Sequence, residues 1–207
     1  MPEPVAFYPL NEHFKAAEKD NRQPEGILHN VDITNGPYNE PGGAYMFFGT
    51  QASYIELENK GGLDTRYAIT LMCWVRPQGE NGLLFSYEKY DRGVAIGIID
   101  GIFFNMVTSR DGSNRVGVAT AKALELPTGV WTHVAATYNT NTGNISLYIN
   151  GYSSGSENSG FDKHISTDAD TVRIGAGIKG AIAKIKVYDV ALNEAEIRTS
   201  IRQGTYE

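Results

Sequence analysis

Apolar runs of about five to eight residues recur between turn signals along the chain, and that rhythm constrains the fold more than any other feature. The runs include "AYMFF", "SYIEL", "AITLMCWVR", "GLLFSYE", "GVAIGII", "GIFFNMV", "WTHVAATY", "NISLYI" and "GAIAKIKVYD", and between them fall breakers such as "IDGI", "RDGSN", "TNTGN" and "INGY". Asp-Gly and Asn-Gly dipeptides supply the positive φ that two-residue hairpin turns require. The pattern predicts a succession of antiparallel hairpins, and therefore an all-β sandwich or barrel. A chain of 207 residues can bury a substantial core without dividing, and we expect one domain over residues 1–207.

Two segments break the rhythm. Residues 11–43, "NEHFKAAEKDNRQPEGILHNVDITNGPYNEPGG", are polar and interrupted by three prolines, which predicts a long excursion outside the sheets. Near the end, "LNEAEIRTSIRQG" predicts the one helix. Asn193 is placed to cap it, Glu196 completes a capping box three residues on, Leu192 can staple against Ile197, and Gly204 fits the stop.

Charge excludes several partners. The net charge is −6 and the 18 basic residues form no run, so the sequence offers no footprint for a phosphate backbone or an anionic membrane. No apolar stretch reaches the ~18 to 20 residues of a bilayer span. "MPEPVAFYPL" lacks the charged and apolar regions of a signal peptide, so the chain as given reads as soluble. The single cysteine, Cys73, lies within "ITLMCWV" and reads as a small buried hydrophobe.

The stretch "GVWTHVAATYNTNTGNISLYINGY" poses the functional question. Residues two apart on a strand share a face, so Trp131, His133, Ala135 and Thr137 point one way and Thr132, Val134, Ala136 and Tyr138 the other. Trp131 and His133 are thus either a binding platform or the interior of a sandwich.

The order "FYPLN", "YMFFGTQASYIEL", "ITLMCWVRP", "GLLFSYE", "GVWTHVAATYNTNTGNISLYINGY", "RIGAG" and "GAIAKIKVYDVALNEAEI" resembles the LamG-like jelly-roll domains. These are a branch of the concanavalin A-like lectin/glucanase superfamily that also includes pentraxins. The resemblance covers nearly the whole chain. Its most specific part is the Trp-x-His strand, the Leu-Tyr-Ile-Asn-Gly hairpin and the closing "VYDVALNEAEI". It implies a two-sheet antiparallel jelly-roll β-sandwich with one concave sheet, an extracellular location, and packing roles for Trp131 and His133.

Nothing specific points to catalysis. Glucanases of this superfamily carry alternating carboxylates on one strand, and only Glu56 and Glu58 in "SYIELEN" approach that arrangement. There is no Gly-x-Ser-x-Gly elbow and no phosphate loop, so we read the chain as a non-enzyme. Calcium is the open cofactor, because relatives hold it in rim loops with oxygen ligands. "FSYEKYDRGVAIGI" resembles the pentraxin segment that delivers an Asp-Asn pair to calcium, but here the pair is Asp91-Arg92. Ala183-Lys184 likewise stands where many LamG-like domains carry an acidic pair. Asp32, Asn30 and Asn35, or Asp111 and Asn114, are the remaining oxygen-rich turns.

The expected function is a non-catalytic, lectin-like module that binds extracellular glycans through a loop rim and concave sheet. The loop "SYEKYDRG" supplies Tyr87, Tyr90, Asp91 and Arg92, and "FFNMVTSRDGSN" supplies Asn105, Arg110, Asp111 and Asn114. Arg92 favours an acidic or sulfated saccharide, which its fork of donors would bind directly. The alternative is a protein-binding adhesion or scaffold module using Tyr152, Phe161 and Arg173. The sequon "NIS" at Asn144 agrees with an extracellular setting.

Overall fold

The computed structural model describes residues 1–11, 25–87, 92–158 and 163–203. Among them the chain forms β1 (Ala6–Tyr8), β2 (Ile27–His29), β3 (Asp32–Thr34), β4 (Ala44–Phe48), β5 (Tyr54–Glu58), β6 (Ala68–Pro77), β7 (Gly82–Tyr87) and β8 (Val94–Ile99). There follow β9 (Ile102–Thr108), β10 (Arg115–Ala119), β11 (Thr132–Asn139), β12 (Asn144–Ile149), β13 (Tyr152–Asn158), β14 (Thr171–Ile174), β15 (Lys179–Tyr188) and helix α1 (Glu194–Gln203). The strands make two antiparallel sheets. The eight-stranded sheet runs β13-β12-β11-β6-β15-β4-β3, with β1 also paired to β15, and the seven-stranded sheet runs β10-β9-β8-β7-β14-β5-β2. Of the sandwich or barrel that the hairpin rhythm allowed, this is the sandwich, with the jelly-roll architecture that the resemblance implied.

Alternation decides which face each strand buries. On β6, Ile69, Leu71, Cys73 and Val75 enter the interior, and their β11 partners Tyr138, Ala136 and Val134 join them there. The opposing sheet contributes Ile55, Leu57, Leu84, Ile96, Phe103, Val107, Val172 and Ile174 to the same cluster. Two hairpins close on the dipeptides that marked them in the sequence. Asp100 and Gly101 adopt φ of 49° and 75°, and Asn150 and Gly151 adopt 51° and 80°. These are left-handed values that asparagine, aspartate and glycine reach most cheaply.

The outer face of the eight-stranded sheet is partly covered by α1, where Ile197 and the preceding Leu192 pack against Met72, Ala135, Tyr148 and Tyr188. The capping box is closed in both directions. Asn193 Oδ1 accepts from the Glu196 amide at 3.0 Å, and Glu196 Oε2 accepts from the Asn193 amide at 2.8 Å. Gly204, the expected stop, lies outside the described residues. No described helix is long and apolar enough to cross a membrane.

Two expectations change. Within the supposed excursion, residues 27–34 supply β2 and β3, the edge strands of the two sheets, joined through Asn30 at φ 47°. β13 is polar and also lies at an edge. Edge strands bury little, so their sequences lack the alternation that betrays interior strands. Trp131 and His133 share a face, but it is the outer face and not the space between the sheets. His133 is 4 % exposed and meets Trp74 edge-on at 5.4 Å. Burial, with the charge of Lys186 adding to it, pushes its pKa down to about 3, so it is neutral at physiological pH. Trp131 is only partly buried, with the Arg76 guanidinium 5.2 Å from its ring.

Because the cap satisfies two amides that otherwise face the helix start, Asn193→Ala should cost about 1 kcal/mol, seen as a lower denaturation midpoint with an unchanged slope.

Candidate functional site

Antiparallel order brings the end of β5, the start of β6, the β9 to β10 turn and the approach to β14 to one end of the sandwich. The segments 59–67, 109–114 and 163–170 meet there and are tied together by hydrogen bonds. The Arg110 amide donates to the His164 carbonyl at 2.7 Å, and the Ile165 amide to the Arg66 carbonyl at 2.9 Å. Asn59 Nδ2 donates to the carbonyls of Thr167 and Ala169. Ser109 bridges to Ile165.

Asp64 is the hub. Its carboxylate accepts both terminal nitrogens of Arg110, at 2.8 and 2.9 Å, in the fork-to-fork geometry that makes arginine pairs strong. It also accepts Thr167 Oγ1 at 2.9 Å and Arg66 Nε at 3.1 Å. Arg110 Nε lies 3.8 Å from Asp168. Burial alone would raise the pKa of Asp64, but the hydrogen bonds from Arg110, Thr167 and Arg66 and the charge of Arg110 outweigh it and hold the pKa at about 2.

The adjoining turn is built on Asp111. Its Oδ1 accepts from the Ser113 amide and from the hydroxyls of Ser109 and Ser113, and its Oδ2 accepts Lys163 Nζ at 2.7 Å. Lys163 first, then the serines, holds this carboxyl well below the usual range. Asn114 donates its side-chain amide to Ser113 Oγ and its backbone amide to Ser109 Oγ. Arg92 lies across the turn and donates from Nη1 to the Arg110 carbonyl at 3.0 Å. Gly112 makes this possible. Its φ is 74°, and a Cβ there would come within 2.8 Å of Arg92 Cδ.

Four of the expected ligand residues, Arg92, Arg110, Asp111 and Asn114, are therefore assembled in one place. Two are not. Tyr87 is 1 % exposed and its hydroxyl donates to the Leu63 carbonyl at 2.8 Å, so it belongs to the core. Asn105 is 2 % exposed on the inner face of β9, between Phe103 and Val107. Both sit at inward positions of strands that run into the loops to which the sequence assigned them. Tyr90 and Asp91 lie outside the described residues.

Among the described residues, the rim carboxylates Asp64 and Asp111 do not fit calcium. Asp111 is saturated by hydroxyls, an amide and an ammonium, and Asp64 by two guanidiniums and a hydroxyl. A cation that replaced those donors would have to displace the groups that hold the loops. Lys184 Nζ stands 3.7 Å from Glu40. Glu56 and Glu58 on β5 are engaged by Arg173 and Lys60. The expected protein-binding trio is dispersed. Tyr152 lies under Arg198 of α1, Arg173 lies over Tyr54 on the other sheet, and Phe161 is outside the described residues.

Two antiparallel sheets with loops clamped at one end define a jelly-roll β-sandwich. Residues 48–198 match the Laminin G 3 model of the concanavalin A-like lectin/glucanases superfamily, and the chain belongs to that family. Solved structures with the same fold include the binding domain of botulinum neurotoxin serotype G, at 13 % identity and a TM-score of 0.74 over 95 % of this chain and 50 % of that one. Another is the binding domain of Paraclostridial Mosquitocidal Protein 1, at 16 % and 0.76 over 95 % and 51 %. A third is the serotype D ligand binding domain in complex with N-acetylneuraminic acid, at 15 % and 0.74 over 97 % and 50 %. The chain spans about half the length of these domains. No curated protein matches it.

The lowered pKa of Asp64 predicts a specific pH dependence. Its folded value lies below the ordinary 3.8, so its stabilisation is complete above pH 4 and is lost as pH falls through about 2. Asp64→Asn should lower the urea midpoint at pH 7, and the gap to wild type should close on acidification to pH 2.

Proposed function

We propose that this domain is a non-catalytic carbohydrate-binding module for acidic or sulfated extracellular glycans, with Arg92 as the principal ligand residue. The carrying observation is the state of the rim cations. Arg110, Arg66 and Lys163 are each held by a carboxylate, whereas Arg92 pairs with none among the described residues and uses only Nη1, on a backbone carbonyl. Its remaining donors form a planar fork suited to a carboxylate, a sulfate or vicinal hydroxyls. Arg110 is then a positioning residue, since its carbonyl seats Arg92. Tyr90 and Asp91, next to Arg92 in sequence, belong to the same proposed ligand set. Family membership and neighbours that are binding domains support a binding role.

A protein-binding role has one observation in its favour. Arg76 over the partly exposed Trp131, close to Trp74, presents on the outer face of the eight-stranded sheet the residue types that dominate protein interfaces.

A glycan array probed with wild type and Arg92→Ala, each in calcium and in chelator, separates these readings. Wild type should favour sulfated or uronic-acid glycans with or without calcium. Arg92→Ala should weaken the best hit by about tenfold or more, the loss of charge-assisted hydrogen bonds. Binding abolished by chelator but indifferent to Arg92→Ala would overturn the arginine mechanism. Silence across the array would favour the protein-binding alternative.

A further inference from the structure

We infer that the ligand surface extends from Arg92 along the rim to Tyr67, and that Tyr67 with His164 forms a second subsite that stacks a pyranose ring next to the anionic group held by Arg92. This rests on the reading of the rim as a glycan site. Continuity is carried by contacts. Arg92 bonds the Arg110 carbonyl, the Arg110 amide bonds the His164 carbonyl, and the His164 ring meets the Tyr67 ring edge-on at 4.5 Å. Lys163, His164, Arg66, Tyr67, Asp111 and Ser113 along this path are all exposed.

Tyr67 is 59 % exposed, yet its backbone is fixed from three directions. Its amide donates to the Thr65 carbonyl at 2.7 Å, its carbonyl accepts the Thr140 amide at 2.9 Å, and the preceding residue is clamped. That residue, Arg66, has φ of 58°, a left-handed conformation that a long side chain adopts only when its surroundings impose it. The clamps are the Asp64 carboxylate on Arg66 Nε, Thr167 Oγ1 on its amide and Ile165 on its carbonyl. The strained turn aims a rigid aromatic at solvent, beside the cations and not into the core. A tyrosine with two side-chain torsions and a fixed backbone loses little entropy on binding. Its ring offers an apolar face to the C–H side of a pyranose and a hydroxyl to the sugar's own. His164 holds the ring by its edge. One end of the strip thus suits an anionic substituent and the other the ring of a neighbouring residue, so the ligand class is an oligosaccharide bearing sulfate or carboxylate, and not the isolated anion.

The probes are a heparin-derived tetrasaccharide and inorganic sulfate, each titrated by calorimetry into wild type, Tyr67→Ala, Tyr67→Phe and Arg92→Ala. Tyr67→Ala should weaken the tetrasaccharide by about fivefold to tenfold, and Tyr67→Phe by much less, because the ring does most of the stacking. Sulfate binding should be unchanged in both Tyr67 variants and weakened in Arg92→Ala. Tetrasaccharide binding that is weakened by Arg92→Ala but equal in wild type and Tyr67→Ala would overturn the subsite while leaving the rim reading intact. Tetrasaccharide binding that neither variant alters, or wild type that binds neither probe, would overturn the rim reading and the subsite with it.

Discussion

Each described segment at the candidate rim is tied, directly or through one neighbour, to the carboxylate of Asp64. The paired bonds to Arg110 fix the β9 to β10 turn, Thr167 Oγ1 fixes the approach to β14, and Arg66 Nε fixes the turn into β6. Three segments far apart in sequence become one surface through a single anion. An exposed ion pair contributes little on its own. Here the carboxylate is partly buried, four donors converge on it, and backbone bonds between the same segments share the work, which is the situation in which a network outweighs its separate pairs. Among the described residues, the loops are held by fixed side-chain charges.

Beneath the rim, the sandwich imposes its own division of labour. Two sheets that bury their inner faces against each other leave chemistry to the loops and to the outer faces. One outer face is partly taken by α1, seated by Leu192 and Ile197 and started by the Asn193 and Glu196 box. Next to it, neutral His133 packs on Trp74, and Trp131 lies under Arg76. A Trp-x-His strand is thus neither interior nor bare platform. Its histidine is buried on the outside of the sheet, and its tryptophan is half covered by a neighbouring arginine.

The sequence reveals strands wherever burial is deep. β12 shows alternation through Ile145 and Leu147, whereas β6 and β11 are near-continuous apolar runs because Leu71 and Ala136 are buried between the sheets and Met72 and Ala135 beneath α1. It conceals β2, β3 and β13, since an edge strand needs no apolar alternation to accept one neighbour's hydrogen bonds. The turn dipeptides Asp100-Gly101 and Asn150-Gly151 and the capping box were legible because each is a local rule. The rim was legible only in part. Arg92, Arg110, Asp111 and Asn114 could be found from charge and turn chemistry within neighbouring loops. Asp64, Tyr67, Lys163 and His164 could not, because they join the rim only through contacts between segments far apart in sequence, Asp64 with Arg110, Lys163 with Asp111, His164 with Arg110 and Tyr67 with His164. Tyr87, the last residue of β7, and Asn105, in the middle of β9, misled because composition does not reveal which side of a strand faces in. The positive φ at Arg66 carries no sequence signal, since it is imposed by partners on other segments.

The most direct test is an amide and side-chain NMR titration of the domain with a sulfated tetrasaccharide. A ligand held on the Asp64-organised rim should perturb Arg92, residues 109–114, Lys163, His164 and Tyr67 together at one shared affinity, and leave Trp74, Arg76 and Trp131 unmoved. Perturbations that gather on Trp74, Arg76 and Trp131 while the rim stays silent would contradict it, and would move the binding surface to the outer face of the eight-stranded sheet.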